Sequence, residues 1–375
     1  MATEYVAQRL ASFGFRTECP SFECWDWTHG EVQLTVGGEA FEAFASPYSP
    51  GCQVSAPLAV ASMLDELEAL PASHRIVLLR GDLATQQLTP KNYPFYNSDE
   101  HRRIFYLLET QRPLAVIAAT TRNPELVGAI YPFPLIEDGD FDIPSAYLTE
   151  EEGNRLLQHR AEPVSLAFQA QRIPSSGCNV VARRGARAAR RLVLCAHIDA
   201  KETTVGALDN ATGIATLLLL AELLQDYRGD LQVELVALNG EDDYSAAGQR
   251  RYLRDNRDKL SEIILAVNLD MAGYRQGRTA YSLYDCPGGI ASSIRRAFSV
   301  HQELAEGQPW YQSDHMVFVQ NQRPALAITS ERLTQLLAEV AHTHEDRPEL
   351  VDPDKLVHIA LALRDVVLDL DGLVA

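Results

Sequence analysis

Residues 191–224, RLVLCAHIDAKETTVGALDNATGIATLLLLAELL, form the stretch that decides the fold. The stretch opens with RLVLCA, an apolar run of strand length, and closes with an apolar segment that has helical periodicity. A strand this apolar is buried on both faces, which is typical of a parallel sheet covered by helices on both sides. The residues between strand and helix therefore lie at the carboxyl end of a strand, where such sheets bind ligands.

The same alternation of strand and helix continues to the end of the chain. Three more runs have the length and apolar character of buried strands: LQVELVAL (231–238), EIILAVNL (262–269) and PALAIT (324–329). Further segments have helical periodicity: AAGQRRYLRDN (246–256), GGIASSIRRAFSVH (288–301) and KLVHIALALRDVVLDL (355–370). We therefore predict an α/β fold with a mostly parallel mixed sheet sandwiched by helices.

The first half of the chain lacks this regular alternation of long apolar strands and helices. Residues 1–15 have helical periodicity, and residues 131–148, rich in Pro and Asp, indicate a loop. The other candidate elements are short: EVQLTV (31–36), AFEAF (40–44), RIVLLRG (75–81), LAVIAA (114–119) and the helical LTEEEGNRLLQH (148–159). We predict that residues 45–168 form a smaller, β-rich α+β domain, inserted between residues 1–44 and 169–375 of the larger domain.

The composition limits the classes of partner. The 33 Lys and Arg residues against 51 Asp and Glu give a formal charge of −18 over 375 residues. This charge argues against nucleic acid as a partner, because neutralising phosphates requires clustered basic residues. No run reaches the roughly 18 apolar residues that a membrane span requires, so we expect no membrane partner. No pattern in the sequence indicates an oligomeric state.

The N-terminus and the cysteines bear on the compartment. The chain opens without a basic segment followed by an apolar run, so we expect a cytoplasmic protein unless a leader has been removed. The six cysteines are scattered, and only Cys19 and Cys24 are close enough in sequence for a disulfide worth testing. We expect most of these thiols to be reduced.

Polar side chains follow the predicted strands at the point where each strand ends. RLVLCA leads directly into His197 and Asp199, and residues two apart in an extended chain project to the same face. A carboxylate on one imidazole nitrogen would leave the other nitrogen free to bind a metal. Asp209 precedes the long apolar helix, where it either caps the helix or bridges two cations.

Carboxylates also follow the next two strands. Glu241 and Asp242 come after LQVELVAL, either as a solvated turn or as an acidic pair. In such a pair, one carboxylate can bind a metal while the other takes a proton from water. Asp270 comes after EIILAVNL, at the same edge of the sheet. Each residue is ambiguous alone, but the ordered set predicts a metal site.

The C-terminal region supplies the remaining candidates. SDH contains Asp314 and His315, and AHTHEDRPELVD contains His342, His344 and Asp346. These residues lie in loops that can return to the same sheet edge. Two other histidines lie on predicted helical faces, which indicates a structural role: His301 and His358.

In this order the motifs resemble a known family. HID, GALDNATG, NGED, NLD, SDH and HTHED follow one another as in the zinc aminopeptidases that include bacterial leucine aminopeptidases. The same family contains glutamate carboxypeptidases and glutaminyl cyclases. The match covers roughly residues 175–370, and it implies the zinc exopeptidase fold and an enzyme that hydrolyses N-terminal residues from peptides.

The resemblance implies a set of metal ligands. Asp209 would bridge two zinc ions, with a single zinc as the alternative. His197 and Asp270 would complete one site, and Asp242 and His342 the other. The family usually has Glu at the position of Asp242, and the shorter side chain is expected to shift or loosen that zinc.

The resemblance also implies catalytic and substrate-binding residues. Glu241 would be the general base, and Asp199 would orient His197. Three residues would lie near the substrate without binding metal: Tyr244, Asp314 and His315. Tyr274, Cys286, Trp310 and Tyr311 are further candidates for the pocket lining. The family has a cis peptide bond after the bridging carboxylate, here between residues 209 and 210.

Two further departures from the family pattern concern the walls of the site. DYSAAG, after the acidic pair, is one residue longer than usual, and His344 stands where Pro is common, which makes it a candidate for an extra ligand. The first half of the chain resembles, more weakly, a protease-associated domain, on the cues RIVLLRG, LAVIAA and IPSAYLTEEEGNRLL.

Three alternatives to an aminopeptidase remain open. The first is an acyl transfer like that of glutaminyl cyclases, on one zinc. The second is a carboxypeptidase or dipeptidase, which needs a basic pocket for the substrate carboxylate. The third is a non-catalytic scaffold that has kept the fold. The last is disfavoured because every ligand position holds a residue that can bind zinc.

Overall fold

The computed structural model describes residues 2–95, 97–123, 130–186, 190–202 and 204–372. The strands in those residues are β1 (Arg16–Glu18), β2 (Ser21–His29), β3 (Gln33–Val36), β4 (Glu39–Phe41), β5 (Phe44–Ala45), β6 (Cys52–Ala61), β7 (Ile76–Leu79), β8 (Ala115–Thr120), β9 (Ser145–Thr149), β10 (Pro163–Phe168), β11 (Ala170–Cys178), β12 (Val180–Arg184), β13 (Arg191–His197), β14 (Gln232–Leu238), β15 (Ile263–Leu269), β16 (Thr279–Tyr284), β17 (Leu304–Glu306) and β18 (Ala325–Ser330). The helices are α1 (Ala2–Ser12), α2 (Leu64–Ala69), α3 (Asp99–Gln111), α4 (Glu150–Gln158), α5 (Thr212–Leu223), α6 (Ala247–Asn256), α7 (Gly288–Ser299), α8 (His315–Val319), α9 (Leu333–Glu339) and α10 (Pro353–Gly372).

The chain divides into two compact units. Residues 1–22 and 177–375 form the larger unit, and residues 23–176 form the smaller one. The predicted boundaries after residues 44 and 168 differ from those of these units, which lie after residues 22 and 176. For the first boundary the reason is that β3 pairs with β10, and β4 pairs with β3, in the sheet of the smaller unit. These short strands therefore belong to the smaller unit and not to the larger one.

A mixed sheet forms the centre of the larger unit. Its strand order is β1-β12-β14-β13-β15-β18-β16-β17. The four central strands β14, β13, β15 and β18 are parallel to one another. On one side β12 pairs antiparallel with β14 and β1 with β12, and on the other β16 pairs antiparallel with β18. The predicted α/β architecture with a mostly parallel mixed sheet is confirmed. Each of the four predicted apolar runs is a strand: β13, β14, β15 and β18.

Alternation along these strands decides which helical layer each side chain meets. Leu194 of β13 and Leu235 of β14 belong to a core that they share with apolar residues of α1, α5, α7 and α10. Glu234, the neighbour of Leu235, points to the opposite face, where Tyr252 of α6 donates a hydrogen bond to it over 2.6 Å. Every residue of β13 is buried, because both faces of the strand are covered.

The smaller unit is built around a second mixed sheet. Its strand order is β4-β3-β10-β6-β7-β8-β9-β5, and β6, β7, β8 and β9 are parallel. Part of the predicted loop 131–148 is wrong, since Ser145–Thr149 forms β9 and pairs with β8. Ala146 and Leu148 of β9 are fully buried in the core of this unit. A strand of five residues after a Pro- and Asp-rich stretch is too short to show its period in the sequence.

Two other expectations can be compared with the structure directly. No disulfide bond joins Cys19 and Cys24, and none is formed by the other four cysteines, all of which lie in the described residues. Among the described helices, none combines the length and the apolar character needed to cross a bilayer.

Candidate metal centre

The parallel strands bring the candidate residues to one edge of the sheet. His197 is the last residue of β13, and in the register of the sheet it lies opposite Leu238, the last residue of β14. The Gly240–Asp242 segment follows β14, and Asp270 follows β15 directly. Since parallel strands end on the same side, their carboxyl ends place these side chains around one point.

Five side chains meet there in two groups. His197 Nε2 lies 3.0 Å from Asp209 Oδ1 and 3.5 Å from Asp270 Oδ1. His342 Nε2 lies 3.3 Å from Asp209 Oδ2 and 2.7 Å from Asp242 Oδ1. The two oxygens of Asp209 therefore face different histidines, and each histidine also faces one further carboxylate. The sequence-derived ligand set is brought together completely.

The chemistry of this cluster fits a transition metal. His197, Asp209 and Asp242 each offer a ligand atom, and these atoms all lie within 4.8 Å of one another. Three polar atoms of the cluster are buried and make no hydrogen bond of good geometry, although His197 Nε2 lies close to two carboxylate oxygens: His197 Nε2, Asp242 Oδ2 and Asp270 Oδ1. Buried polar atoms are normally paired, so this exception indicates a missing partner. A mixed set of imidazole and carboxylate ligands suits zinc.

The electrostatics of the cluster also favour a cation. Burial opposes the charged form of His197, but the carboxylates of Asp209 and Asp270 outweigh it and raise the pKa of His197 well above its ordinary value. In the same way, Asp242 and Asp209 outweigh burial and raise the pKa of His342 to about 10. Burial would raise the pKa of Asp209, yet the two histidines hold it well below the usual range. The site strongly attracts positive charge.

Glu241 lies beside the cluster without joining its ion pairs. Burial raises the pKa of the Glu241 carboxyl well above its usual range, His197 opposes this effect, and the carboxylates of Asp242 and Asp314 add to it. A carboxylate with a raised pKa holds a proton more readily, which suits a general base.

The carboxylate of Asp199 has a different partner from the expected one. His197 Nδ1 donates to the backbone carbonyl of Asp199 over 3.1 Å, whereas the nearer carboxylate oxygen is 3.9 Å away. The carboxylate instead accepts the backbone N–H groups of Gly240, Glu241 and Asp242, over 2.7, 3.1 and 2.9 Å. The expected orienting contact to the imidazole is therefore made by the main chain, because the three N–H groups of this turn occupy the side chain.

Asp314 and His315 lie in the same unit as the cluster, buried and outside its ion pairs. Asp314 accepts a hydrogen bond from Gln249 Nε2 over 2.8 Å, and burial raises its pKa to about 7. His315 Nε2 donates to the Trp310 carbonyl over 2.8 Å, and burial lowers the pKa of His315 to about 4. Tyr244 is buried as well.

Three other histidines lie apart from the cluster. The His344 side chain is 76% exposed and contacts Glu345 over 2.9 Å, so the structure does not bring it to the ligand set. The rings of His301 and His358 contact each other with centroids 5.2 Å apart. The predicted helical position is confirmed for His358 in α10 and wrong for His301, which lies just beyond the end of α7.

Two residues that were not predicted from the sequence, Asn268 and Ser313, support Asp270. Asn268 Nδ2 donates to Ser313 Oγ over 2.7 Å, and the Ser313 hydroxyl donates to Asp270 Oδ2 over 2.5 Å. Because Oγ accepts from Asn268, its proton is directed to Asp270, which leaves Oδ1 of Asp270 for the cluster. Both residues stand inside motifs used for the resemblance, NLD and SDH, so a signal was present.

The backbone between the bridging residue and its neighbour also matches the expectation. The peptide bond between Asp209 and Asn210 is cis. The segment Ala207–Ala211 that contains it has non-helical backbone angles at both residues.

Comparison with known proteins defines the class. The model of Peptidase family M28 matches residues 179–367, about half of the chain, and the chain belongs to this family. The resemblance drawn from the ordered motifs is thereby confirmed. The matched region begins just before β12 and includes all five residues of the cluster.

Individual relatives are distant. The chain is 25% identical over 283 residues to a probable lipoprotein aminopeptidase of Mycobacterium tuberculosis, covering 72% of this chain and 52% of that protein. It is 24% identical over 342 residues to a probable leucine aminopeptidase of Aspergillus fumigatus, covering 86% of this chain and 64% of that protein. The chain thus spans less than two thirds of the length of either curated relative.

Two solved structures share the fold over nearly the whole chain. An aminopeptidase from Aneurinibacillus sp. strain AM-1 has a TM-score of 0.75 at 22% identity, covering 97% of this chain and 86% of that one. A zinc aminopeptidase from Bacillus subtilis has a TM-score of 0.72 at 18% identity, covering 98% of this chain and 88% of that one.

Proposed function

We propose that this chain is a zinc-dependent aminopeptidase that hydrolyses N-terminal residues from peptides. The observation that carries the proposal is the division of the cluster by Asp209, whose two oxygens each face one histidine and one further carboxylate. The names of the two curated relatives support the choice of an aminopeptidase within the family.

The proposed metal content is two zinc ions with Asp209 between them. His197 and Asp270 would complete one site, and Asp242 and His342 the other. Zinc bound there would polarise the peptide carbonyl and lower the pKa of a water molecule toward about 7. Asp242 reaches His342 over 2.7 Å despite being shorter than the usual Glu, so its length does not keep it out of the second site.

Glu241 is the proposed general base. It takes a proton from the attacking water and delivers it to the amine that leaves when the peptide bond breaks. The hydrogen bonds from the backbone of Gly240, Glu241 and Asp242 to Asp199 fix the turn that carries this carboxylate. Asp199 thus acts on catalysis through the position of Glu241 and not through the imidazole of His197.

Replacing Asp199 by Asn tests this role. Asn offers one acceptor oxygen, and its amide N–H₂ would face a backbone N–H group, so the turn is displaced. We expect kcat to fall about 10- to 100-fold, since small displacements of a catalytic group have costs of this size. In the Glu241→Gln background the same change should have little further effect. If the two losses multiply instead, Asp199 acts independently of Glu241.

The function itself is tested by zinc analysis and a substrate panel. We expect close to two zinc ions per chain, cleavage of aminoacyl-anilides and no cleavage of the same substrates with an acetylated N-terminus. One tightly bound zinc with ring closure of N-terminal glutamine would support the cyclase-like alternative. Loss of activity on peptides with an amidated C-terminus would indicate a carboxypeptidase. Full zinc content without any turnover would indicate a scaffold.

We also propose that the smaller unit, residues 23–176, is a protease-associated domain. The strands β7 and β8 and the helix α4, which carry the sequence cues for this assignment, lie together in this unit.

A further inference from the structure

Asp346 is a buried carboxylate next to the cluster that faces the main chain instead of a histidine. Its side chain is fully buried, and its oxygens accept two backbone N–H groups from consecutive residues. Oδ1 accepts from Leu208 over 2.7 Å, and Oδ2 accepts from Asp209 over 3.0 Å. Both oxygens are therefore used to hold the backbone of the bridging residue.

Asp346 belongs to the same turn as His342. The Asp346 N–H donates to the Thr343 carbonyl over 3.2 Å, and the Thr343 hydroxyl donates to the Val340 carbonyl over 2.6 Å. The turn from residue 340 to 346 is thus closed by its own hydrogen bonds. Through Asp346 this turn is tied to the segment that carries Asp209, so two ligand-bearing segments are joined outside the cluster.

The Asp209 segment is held on its other side by Asn210. Asn210 Nδ2 donates to the Leu269 carbonyl over 2.8 Å, and its Oδ1 accepts from the Gly213 N–H over 3.0 Å. Leu269 immediately precedes Asp270, so this contact ties the segment to the end of β15. The backbone around Asp209 is therefore held by two sets of hydrogen bonds. Asp346 ties it to the turn that carries His342, and Asn210 ties it to the strand that precedes Asp270.

We propose that Asp346 is a positioning residue that sets the place of the Asp209 carboxylate relative to His342, and that it thereby controls zinc affinity. This inference rests on the proposed ligand set. The contact needs a carboxylate because both of its oxygens must accept. An amide would place its own N–H₂ against a backbone N–H, which removes one hydrogen bond and sets two donors face to face.

The test compares Asp346→Asn with Glu345→Gln, a matched change at the adjacent exposed residue. Zinc affinity is measured by competition with a chelator. Backbone amide exchange over residues 206–211 is followed in the zinc-free protein. We expect Asp346→Asn to weaken zinc binding about 10- to 100-fold, the size of effect seen when a partner of a metal ligand is lost. We also expect faster exchange at Leu208 and Asp209, and no change for Glu345→Gln.

A spectroscopic readout separates positioning from mere support of the fold. In the cobalt(II)-substituted protein, Asp346→Asn should change the visible absorption, which reports ligand geometry, and Asp346→Glu should change it as well because its carboxylate lies one methylene farther out. A lower melting temperature with unaltered zinc affinity and an unaltered cobalt spectrum would overturn the inference. If Asp346→Asn does not fold, the zinc affinity of Asp346→Glu decides: a value equal to that of the unaltered chain overturns it.

A reference variant keeps this result distinct from failure of the proposed function. Asp209→Asn should abolish tight binding of zinc if Asp209 is the bridging ligand. Zinc binding that survives in Asp209→Asn contradicts the ligand set itself. Zinc binding lost in Asp209→Asn but unchanged in Asp346→Asn contradicts only the role of Asp346.

Discussion

Replacing Glu241 by Gln is expected to lower kcat for an aminoacyl-anilide by about 100-fold or more while the zinc content stays unchanged. Gln has the same shape but cannot accept the proton of water. The three backbone hydrogen bonds that hold its turn come from the main chain and do not depend on the Glu241 side chain. The fold around residue 241 is therefore expected to persist.

The neighbouring residue provides the matched control. Asp242→Asn removes the carboxylate that faces His342 over 2.7 Å, so this variant should lose zinc affinity as well as activity. Zinc analysis and kcat at saturating zinc then separate a ligand from a base. Unchanged turnover in Glu241→Gln would refute its role as the general base, and loss of zinc in that variant would reassign it as a ligand.

Replacing Glu234 by Gln is expected to destabilise the larger unit by about 3–5 kcal/mol. Glu234 is fully buried on the face of β14 opposite the main core, where it accepts hydrogen bonds from Arg183 over 2.5 Å and Tyr252 over 2.6 Å. Arg191, itself buried, lies 3.4 Å away. Gln keeps the shape but removes the only buried carboxylate that the structure shows, among the described residues, facing these two guanidinium groups. They are then left with solvent-exposed or partly exposed partners, Glu18 for Arg183 and Glu262 for Arg191, and poor compensation of a buried charge is costly.

A second carboxylate that contacts Arg191 provides a control for this prediction. Arg191 also contacts Glu262 over 3.4 Å, but the Glu262 side chain is 34% exposed. Glu262→Gln should therefore cost less than about 1 kcal/mol. Unfolding in urea, monitored by circular dichroism, measures both variants. Equal stability losses in the two would show that the burial of Glu234 does not govern its contribution.

The second half of the chain could be predicted well because its signals are local and ordered. The strands β13, β14, β15 and β18 are mostly apolar, so they can be recognised from the sequence without knowledge of the strands beside them. Each ligand follows a strand or stands in a short motif, and the parallel arrangement converts chain order into proximity. The five side chains of the cluster therefore meet as the motifs predict.

The contacts between side chain and main chain could not be predicted in this way. Asp199 stands two residues from His197, and the spacing suggests contact between the side chains. The structure instead gives the imidazole the backbone carbonyl and gives the carboxylate the turn at Gly240–Asp242. The partner that the Asp199 carboxylate binds depends on the path of the loop after β14. No periodicity in the sequence predicts this path. The same holds for Asp346, whose partners lie 138 and 137 positions away.

The bounds of the two units could not be predicted from the sequence for a related reason. The strands β3 and β4 are short, and their sequence shows only that they are extended, not which sheet they join. The pairing of β3 with β10, through which β4 also joins the sheet, is a contact across more than a hundred positions of the chain. Non-local pairing of short strands is the part of a fold that local patterns determine least.

The pairing of β1 with β12 has a consequence for how the chain folds as it is made. Residues 16–18 of β1 can pair only after residues 181–183 of β12 have been synthesised. The whole smaller unit is synthesised between them. Because domains generally fold as units and N-terminal segments emerge first from the ribosome, the smaller unit can reach its native state while the larger one has only its first helix and strand. During that interval α1 and β1 have no sheet to join. A chain released after residue 176 would therefore hold a folded smaller unit and an amphipathic helix whose buried residues, Val6 and Leu10, have no core to pack against.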